Sequence, residues 1–282
     1  MNYHHFMSRL SFIFLLFVVP SVLAAQSMGP AVPLEVPAAL SFAAADALPG
    51  LPPAAAPVLA PPVSVPRMSA ELALQTYQKQ ASRQSQALAG YSAATLIRAA
   101  LPASSQHGEF ELERRYTAPR TLAFKPLHYE GDGFVKTNVI ARLLQSEVDH
   151  VQKDDPSSTA LRRENYKFSH KSTAQIAGRA VHVFQVKPRK KRPGLFKGQI
   201  YLDAYTGCLV RVEGRVVKSP SLFVNKIDFV QDYAEVDGFT FPVRMHSEAK
   251  AALVGRTVVD IENRNYQPLP APLESAAASG SY

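Results

Sequence analysis

Apolar residues recur at every second position along much of the chain between residues 108 and 266, a spacing that predicts half-buried β-strands. In the clearest segment, Phe239, Phe241 and Met245 alternate with polar residues. Residues 108–116, "GEFELERRY", alternate in the same way, and a further strand follows Pro119. We place the later strands near 165–173, 179–188, 197–204, 208–217, 223–234, 239–251 and 254–266. Because short turns join them, the pattern favours an antiparallel meander.

Two segments have helical spacing instead. The first begins at Ser69, a residue type that caps helix N-termini, and ends at Gly90, with Leu72, Tyr77 and Leu88 as its apolar positions. The second spans 138–153, where the apolar residues fall on one stripe. The predicted fold class is therefore α+β: a large curved antiparallel sheet, an unclosed half-barrel of about ten strands, wrapped around two or three helices.

The chain ends differ in composition from this central part. Residues 10–19 are an apolar run too short to span a bilayer, followed by Pro20 and small residues at Val22 and Ala24, which predicts an export signal cleaved near Ala24. We therefore expect four parts: a signal peptide (1–24), a Pro/Ala-rich disordered tether (25–67), one folded domain (68–268) and a disordered tail (269–282). The single cysteine, Cys208, excludes an intramolecular disulfide.

The net charge of +8 comes mainly from one stretch, "VKPRKKRPGLFKG". It carries six basic residues and no acid: Lys187, Arg189, Lys190, Lys191, Arg192 and Lys197. Because the rest of the chain is nearly balanced and export is expected, we predict no nucleic-acid partner. Two interpretations stay open for this hairpin tip: contact with a membrane surface or anionic headgroups, or a solvated tip that protects the sheet edge.

Motifs of enzymes and metal sites are absent from the sequence, and we expect no catalysis, no metal and no cofactor. Cys208 lies among valines and is interpreted as an inert core thiol. An envelope hydrolase is a third hypothesis, and it predicts that some of His128, His182 and His246 converge with nearby acids in one pocket.

Large apolar side chains on the predicted inner strand faces are the candidate binding residues. They are Phe110, Leu112, Phe124, Val210, Val212, Phe229, Tyr233, Phe239, Phe241 and Met245. Two alternatives stay open: a curved sheet around few helices leaves a cavity for a hydrophobic ligand, or the helices fill the concave face and these residues form an ordinary core.

Residues 194–267 resemble the C-terminal half of LolA/LolB-type outer-membrane lipoprotein-sorting proteins. The resemblance is carried by "IYLD", "VRVEG", "KSPS" and "DGFTFP", which follow one another in that order. It implies an unclosed antiparallel barrel capped by helices, and a monomeric periplasmic carrier that binds lipid or lipoprotein acyl chains in a hydrophobic cavity. The alternative is an envelope sensor or scaffold that uses the same face to bind a protein partner.

Overall fold

The structure is a computed structural model that describes residues 66–153, 155–218, 224–251 and 255–271. The predicted signal peptide, residues 25–65 of the predicted tether and residues 272–282 of the predicted tail lie outside the described residues. Among the helices in the described ranges, none is long and apolar enough to cross a membrane.

The described residues form one sheet of ten antiparallel strands, which confirms the predicted fold class. The strands are β1 (Leu88–Leu101), β2 (Gln106–Thr117), β3 (Thr121–Gly131), β4 (Tyr166–Ile176), β5 (Arg179–Pro188), β6 (Phe196–Asp203), β7 (Leu209–Val216), β8 (Val224–Val236), β9 (Phe239–Ala251) and β10 (Gly255–Pro270). Their order across the sheet is β3-β2-β1-β10-β9-β8-β7-β6-β5-β4.

The sheet is not closed, because β3 and β4 lie at opposite edges. Pairing of β1 with β10 joins the first three strands to the last seven. The chain therefore leaves the sheet at one edge after β3 and must reach the other edge before β4. Residues 132–165 make this connection and carry the second helical region, which explains why that region packs across one face of the sheet.

Helix α1 (Ala70–Ala87) begins where the sequence predicts, since the Ser69 hydroxyl accepts a hydrogen bond from the Leu72 backbone N–H at 3.2 Å. Leu74 and Tyr77 are buried against the sheet. The prediction that Leu72 lies on the same face is wrong, because its side chain is 49% exposed. Leu72 lies two residues before Leu74, so its side chain points about 200° away from that of Leu74 around the helix axis.

The end of α1 also differs from the prediction. The helix stops at Ala87, and Leu88 begins β1, a strand that the sequence pattern does not locate. The strand "LAGYSAATLIRAAL" is rich in alanine and poor in β-branched residues, so its propensity signal is weak. Gly90 lies within β1, where a Cβ would stand 2.5 Å from the Tyr116 carbonyl oxygen of β2. Glycine there permits close pairing of the two strands.

The second helical region starts earlier than predicted, at Gly133 rather than Asn138. It consists of a short turn α2 (Gly133–Val135), a π-helical turn (Lys136–Ile140) and α3 (Ala141–Lys153), which follow one another directly. At the other end of the chain, β10 continues to Pro270, which pairs with Leu88. Residues 269 and 270 therefore belong to the sheet and not to a disordered tail.

Candidate functional site

Both helices pack on the same face of the sheet, which we call the inner face. Buried side chains on it form three groups. The α1 cluster joins Leu74 and Tyr77 to strands β4–β8, and the α3 cluster joins the helical residues Val135–Leu144 to β1, β2, β9 and β10. The central cluster consists of Leu88, Tyr91, Ala93, Tyr116, Leu122, Phe241 and Tyr266. The inner face is thus apolar from one part of the sheet to the next.

The candidate binding residues are distributed over these clusters. Val212, Phe229 and Tyr233 lie in the α1 cluster, and Phe110, Leu112 and Met245 in the α3 cluster. Phe241 belongs to the central cluster, Phe239 packs against it, and Phe124 contacts both the central and the α3 clusters. Val210 is buried but belongs to none of the three, because a bulge in β7 shifts the alternation at this point. Contact of these ten side chains with a ligand stays a prediction.

Aromatic rings dominate the central cluster. Phe241 and Tyr266 stack at 4.3 Å between ring centroids, and Tyr91 meets the edge of Phe241 at 5.3 Å. The Tyr266 hydroxyl donates to the Pro242 carbonyl oxygen at 2.7 Å, and the Tyr116 hydroxyl donates to that of Pro119 at 3.1 Å. These bonds satisfy the two phenols, so the rings present apolar surface to their surroundings.

A buried ion pair lies beside these rings. Arg114 projects from β2, and its Nη1 is 2.8 Å from Oε2 of Glu147 on α3, with the two side chains 0% and 1% exposed. The guanidinium carbon also lies 5.1 Å from the centre of the Phe124 ring, within the range of a cation–π contact. This pair is a polar connection between α3 and the inner face of the sheet.

The hydrogen-bonding capacity of this pair is only partly used. Among the described residues, Oε1 of Glu147 and the hydroxyl of neighbouring Ser146 have no hydrogen-bond partner, and Arg114 interacts with the Tyr91 hydroxyl in addition to its ion pair. Burial by itself would lower the pKa of Arg114, but the Glu147 carboxylate outweighs it and raises that pKa above its usual value. The site therefore holds a guanidinium, paired with one carboxylate, in an apolar and aromatic surrounding, and its five N–H donors exceed what that single carboxylate can accept.

Sequence reasoning missed both residues, although each carries a signal. Arg114 falls between Leu112 and Tyr116 in the alternation of β2, so period two places it on the inner face. Glu147 lies four residues after Leu143 and three after Leu144, within the apolar stripe of α3. A charge inside an apolar pattern on each of two elements is the signal that could have found them.

The hydrolase hypothesis requires histidines from different strands to converge in one pocket. His128, His246 and His182 lie on β3, β9 and β5. Three strands separate β3 from β9 and three separate β9 from β5, so these histidines do not converge. The prediction that Cys208 is a core residue is wrong, because it is only partly buried and its Sγ lies 3.2 Å from Oε2 of Glu235. Burial and the Glu235 carboxylate raise the pKa of this thiol to about 11.

All six basic residues of the stretch 187–197 are exposed, and they surround the turn between β5 and β6. This agrees with the predicted position at a hairpin tip. The cations do not take part in the apolar clusters of the inner face, whereas Val186, Leu195 and Phe196 of the same stretch are buried in the α1 cluster.

No known sequence family and no curated protein matches the chain. Among solved structures, it is similar to a DUF1329 family protein from Desulfovibrio piger, with 11% identity, 70% of this chain and 92% of that chain covered, and a TM-score of 0.39.

Two further structures come from the family that residues 194–267 resemble. A LolA superfamily protein from Nitrosomonas europaea has 11% identity, coverage of 73% and 96%, and a TM-score of 0.35. A domain described as an outer membrane lipoprotein-sorting protein, from Vibrio parahaemolyticus, has 12% identity, coverage of 71% and 90%, and a TM-score of 0.33. These similarities are low, and the function proposed below rests on contacts within this chain.

Proposed function

We propose that the protein is a non-catalytic periplasmic carrier that holds the acyl chains of a lipid or lipoprotein against the inner face of its sheet. The observation that carries the proposal is the apolar inner face of an unclosed sheet, covered by helices that come from two separate parts of the chain. A half-open barrel of this kind suits a hydrophobic ligand, which side chains can hold without reacting with it.

The α3 cluster is the part of this face that suits exchange with a ligand. Leu143 and Leu144 of α3 and Ile140 of the preceding turn add to an apolar surface of the sheet that includes Phe110 and Met245. An acyl chain presents the same chemistry as these aliphatic side chains, so it can take their place when α3 moves away from the sheet. The energy of apolar burial would then be largely conserved.

Arg114 supports the proposal because it offers a buried polar partner beside this apolar surface. When α3 is displaced, Glu147 leaves with it and the guanidinium requires a new acceptor, since an unpaired buried charge is strongly unfavourable. A phosphate, carboxylate or ester oxygen of an amphiphile meets that requirement. The ligand class is therefore an acyl chain that carries an oxygen-rich head, rather than a pure hydrocarbon.

The test is native mass spectrometry of the protein purified from a bacterial periplasm without detergent, followed by organic extraction. We expect bound acyl species that are reduced in Phe239→Asp, where a charge enters the partly buried margin of the central cluster. The control is Arg244→Asp on the same strand, an exposed position that should retain wild-type occupancy. Circular dichroism establishes that both variants are folded.

A folded protein that is empty and takes up no added phospholipid or lipoprotein would overturn the carrier proposal. Equal occupancy in Phe239→Asp and Arg244→Asp would also contradict it, because the ligand would then not depend on the inner face. If the empty protein instead purifies in a stable complex with an envelope protein, the sensor or scaffold alternative takes its place.

A further inference from the structure

The basic stretch is part of a larger surface that only the strand register reveals. Lys167 of β4 pairs directly with Lys187 of β5, and Lys197 of β6 pairs directly with Arg215 of β7. Lys187 and Lys197 lie one step beyond Val186 and Gly198, the last pair between β5 and β6. Four cations therefore form a row across four adjacent strands, which we call the basic row.

The basic row lies on the outer face of the sheet. The neighbours of these residues along their strands, including Tyr166, Val186 and Phe196, are buried in the α1 cluster on the inner face. Side chains alternate between the faces of a strand, so the cations point away from the helices. The row ends at β8, where Asp228 binds Arg215 with Nε to Oδ1 at 2.5 Å and Nη2 to Oδ2 at 3.1 Å.

The hairpin tip continues this surface, and the preceding loop holds it in place. Nε of Arg189 donates to the Arg163 carbonyl oxygen at 2.6 Å, and Nη2 of Arg192 donates to the Ser158 carbonyl oxygen at 3.0 Å. The Arg189 backbone N–H also donates to the Asn165 carbonyl oxygen at 2.8 Å. These acceptors are neutral, so the two arginines are positioned without being neutralised.

The arrangement has an electrostatic cost that an anionic partner removes. Like charges directly opposite each other on neighbouring strands are destabilising, as Lys167 and Lys187 are here. In the adjacent pair, Lys197 lies opposite Arg215, whose charge Asp228 balances. No acidic residue occurs between Val186 and Gly198. Arg163, on the adjoining loop, has a carboxylate partner in Glu71 at 2.7 Å, but Lys187, Lys190 and Lys191 are exposed at the tip itself.

We propose that the basic row and the hairpin tip form a docking surface for an anionic phospholipid membrane. The exposed side chains of this surface are cationic, because the apolar residues next to it, Leu195 and Phe196, are fully buried. Protein partners usually draw most of their affinity from side chains buried in pockets, whereas a bilayer rich in acidic headgroups needs only a high density of positive charge. Binding is therefore peripheral, without insertion, and sensitive to salt.

The test measures co-sedimentation of the full chain, purified from the periplasm, with vesicles of phosphatidylcholine alone or mixed with phosphatidylglycerol. The variant is Lys187→Gln/Lys190→Gln/Lys191→Gln, which leaves the two positioned arginines intact. Each lysine near an anionic surface contributes on the order of a fivefold change in partitioning, so we expect a loss of about 100-fold for the three. Raised salt should produce a similar loss in the unchanged protein.

The matched control removes three exposed lysines elsewhere, Lys79→Gln/Lys125→Gln/Lys250→Gln, from α1, β3 and β9. It carries the same net charge as the test variant and should bind nearly as well as the unchanged protein. Equal losses in the two variants would overturn the proposal, because net charge and not the tip would then decide binding. Equal binding to both vesicle types would overturn it as well, as would a preference for polyglutamate over the anionic vesicles.

Discussion

Replacement of the buried ion pair tests how α3 is held on the sheet. We compare Arg114→Met, Glu147→Leu and the double variant, which keep side-chain volume while removing charge. At 2.8 Å the attraction between the two charges is about 6 kcal/mol at an effective dielectric constant of about 20. Desolvation opposes it by several kcal/mol for each ion. The two contributions therefore nearly cancel, and the pair adds little net stability.

The single variants behave differently because each leaves one buried charge without its partner. Both side chains are almost completely buried, so water cannot replace the missing group. We expect each single variant to lower the free energy of unfolding by about 3–5 kcal/mol. The double variant should lie within about 1 kcal/mol of the unchanged protein or above it, because apolar replacements of a buried pair are often neutral or stabilising.

The measurement is urea unfolding followed by circular dichroism, with the slope of the transition compared among the four proteins. The expected cycle has a coupling energy of several kcal/mol. If the double variant loses the sum of the two single losses, the side chains act independently and the reasoning about a shared buried pair is refuted. An unchanged free energy of unfolding in either single variant would show that the charge left without a partner is solvated.

Three further predictions concern sites away from the ion pair. Gly198→Ala should lower the free energy of unfolding by about 2 kcal/mol in urea melts, because the new Cβ would stand 1.9 Å from a carbonyl oxygen of β7. Gly133→Ala should leave the free energy of unfolding unchanged, because its Cβ would have nothing within 4 Å. A hydrogen bond to Asp260 raises the pKa of His246 above 6.5, so the NMR titration midpoint of His246 should fall in Asp260→Asn. The stabilisation of the folded state by this contact is present below pH 6.5 and is lost as the pH rises through the raised pKa. Cys208, whose pKa is raised to about 11, should be alkylated by iodoacetamide at pH 8 more slowly in the native protein than in urea, and equal rates would contradict the assigned burial.

The alternating pattern was sufficient to predict the antiparallel sheet, because one face of each strand is buried and the other is solvated. It failed at β1, where alanines on both faces leave no contrast between buried and exposed positions. It also misplaced Cys208, because the bulge in β7 puts Leu209 rather than Cys208 into the α1 cluster. A bulge adds one residue to one strand and inverts the alternation beyond it, and no composition signal marks this one.

The candidate sites depend on register and topology to a greater degree than the strands do. Arg114 and Glu147 each interrupt an apolar pattern, but their pairing follows only when the connection 132–165 is known to cross the inner face. The basic row has the same property, since Lys167 and Arg215 are separated along the chain from the tip and join it through strand pairing alone.

Local patterns thus predict which residues interrupt the expected pattern of apolar and charged positions. The sheet order decides which of them meet, and the two meeting places lie on opposite faces of the sheet: a guanidinium paired with one carboxylate among aromatic rings inside, and a cluster of exposed lysines outside. On the proposed carrier function, loss of vesicle binding in the lysine variant should slow the loading of acyl chains without reducing final occupancy, whereas Phe239→Asp should reduce occupancy at any loading time.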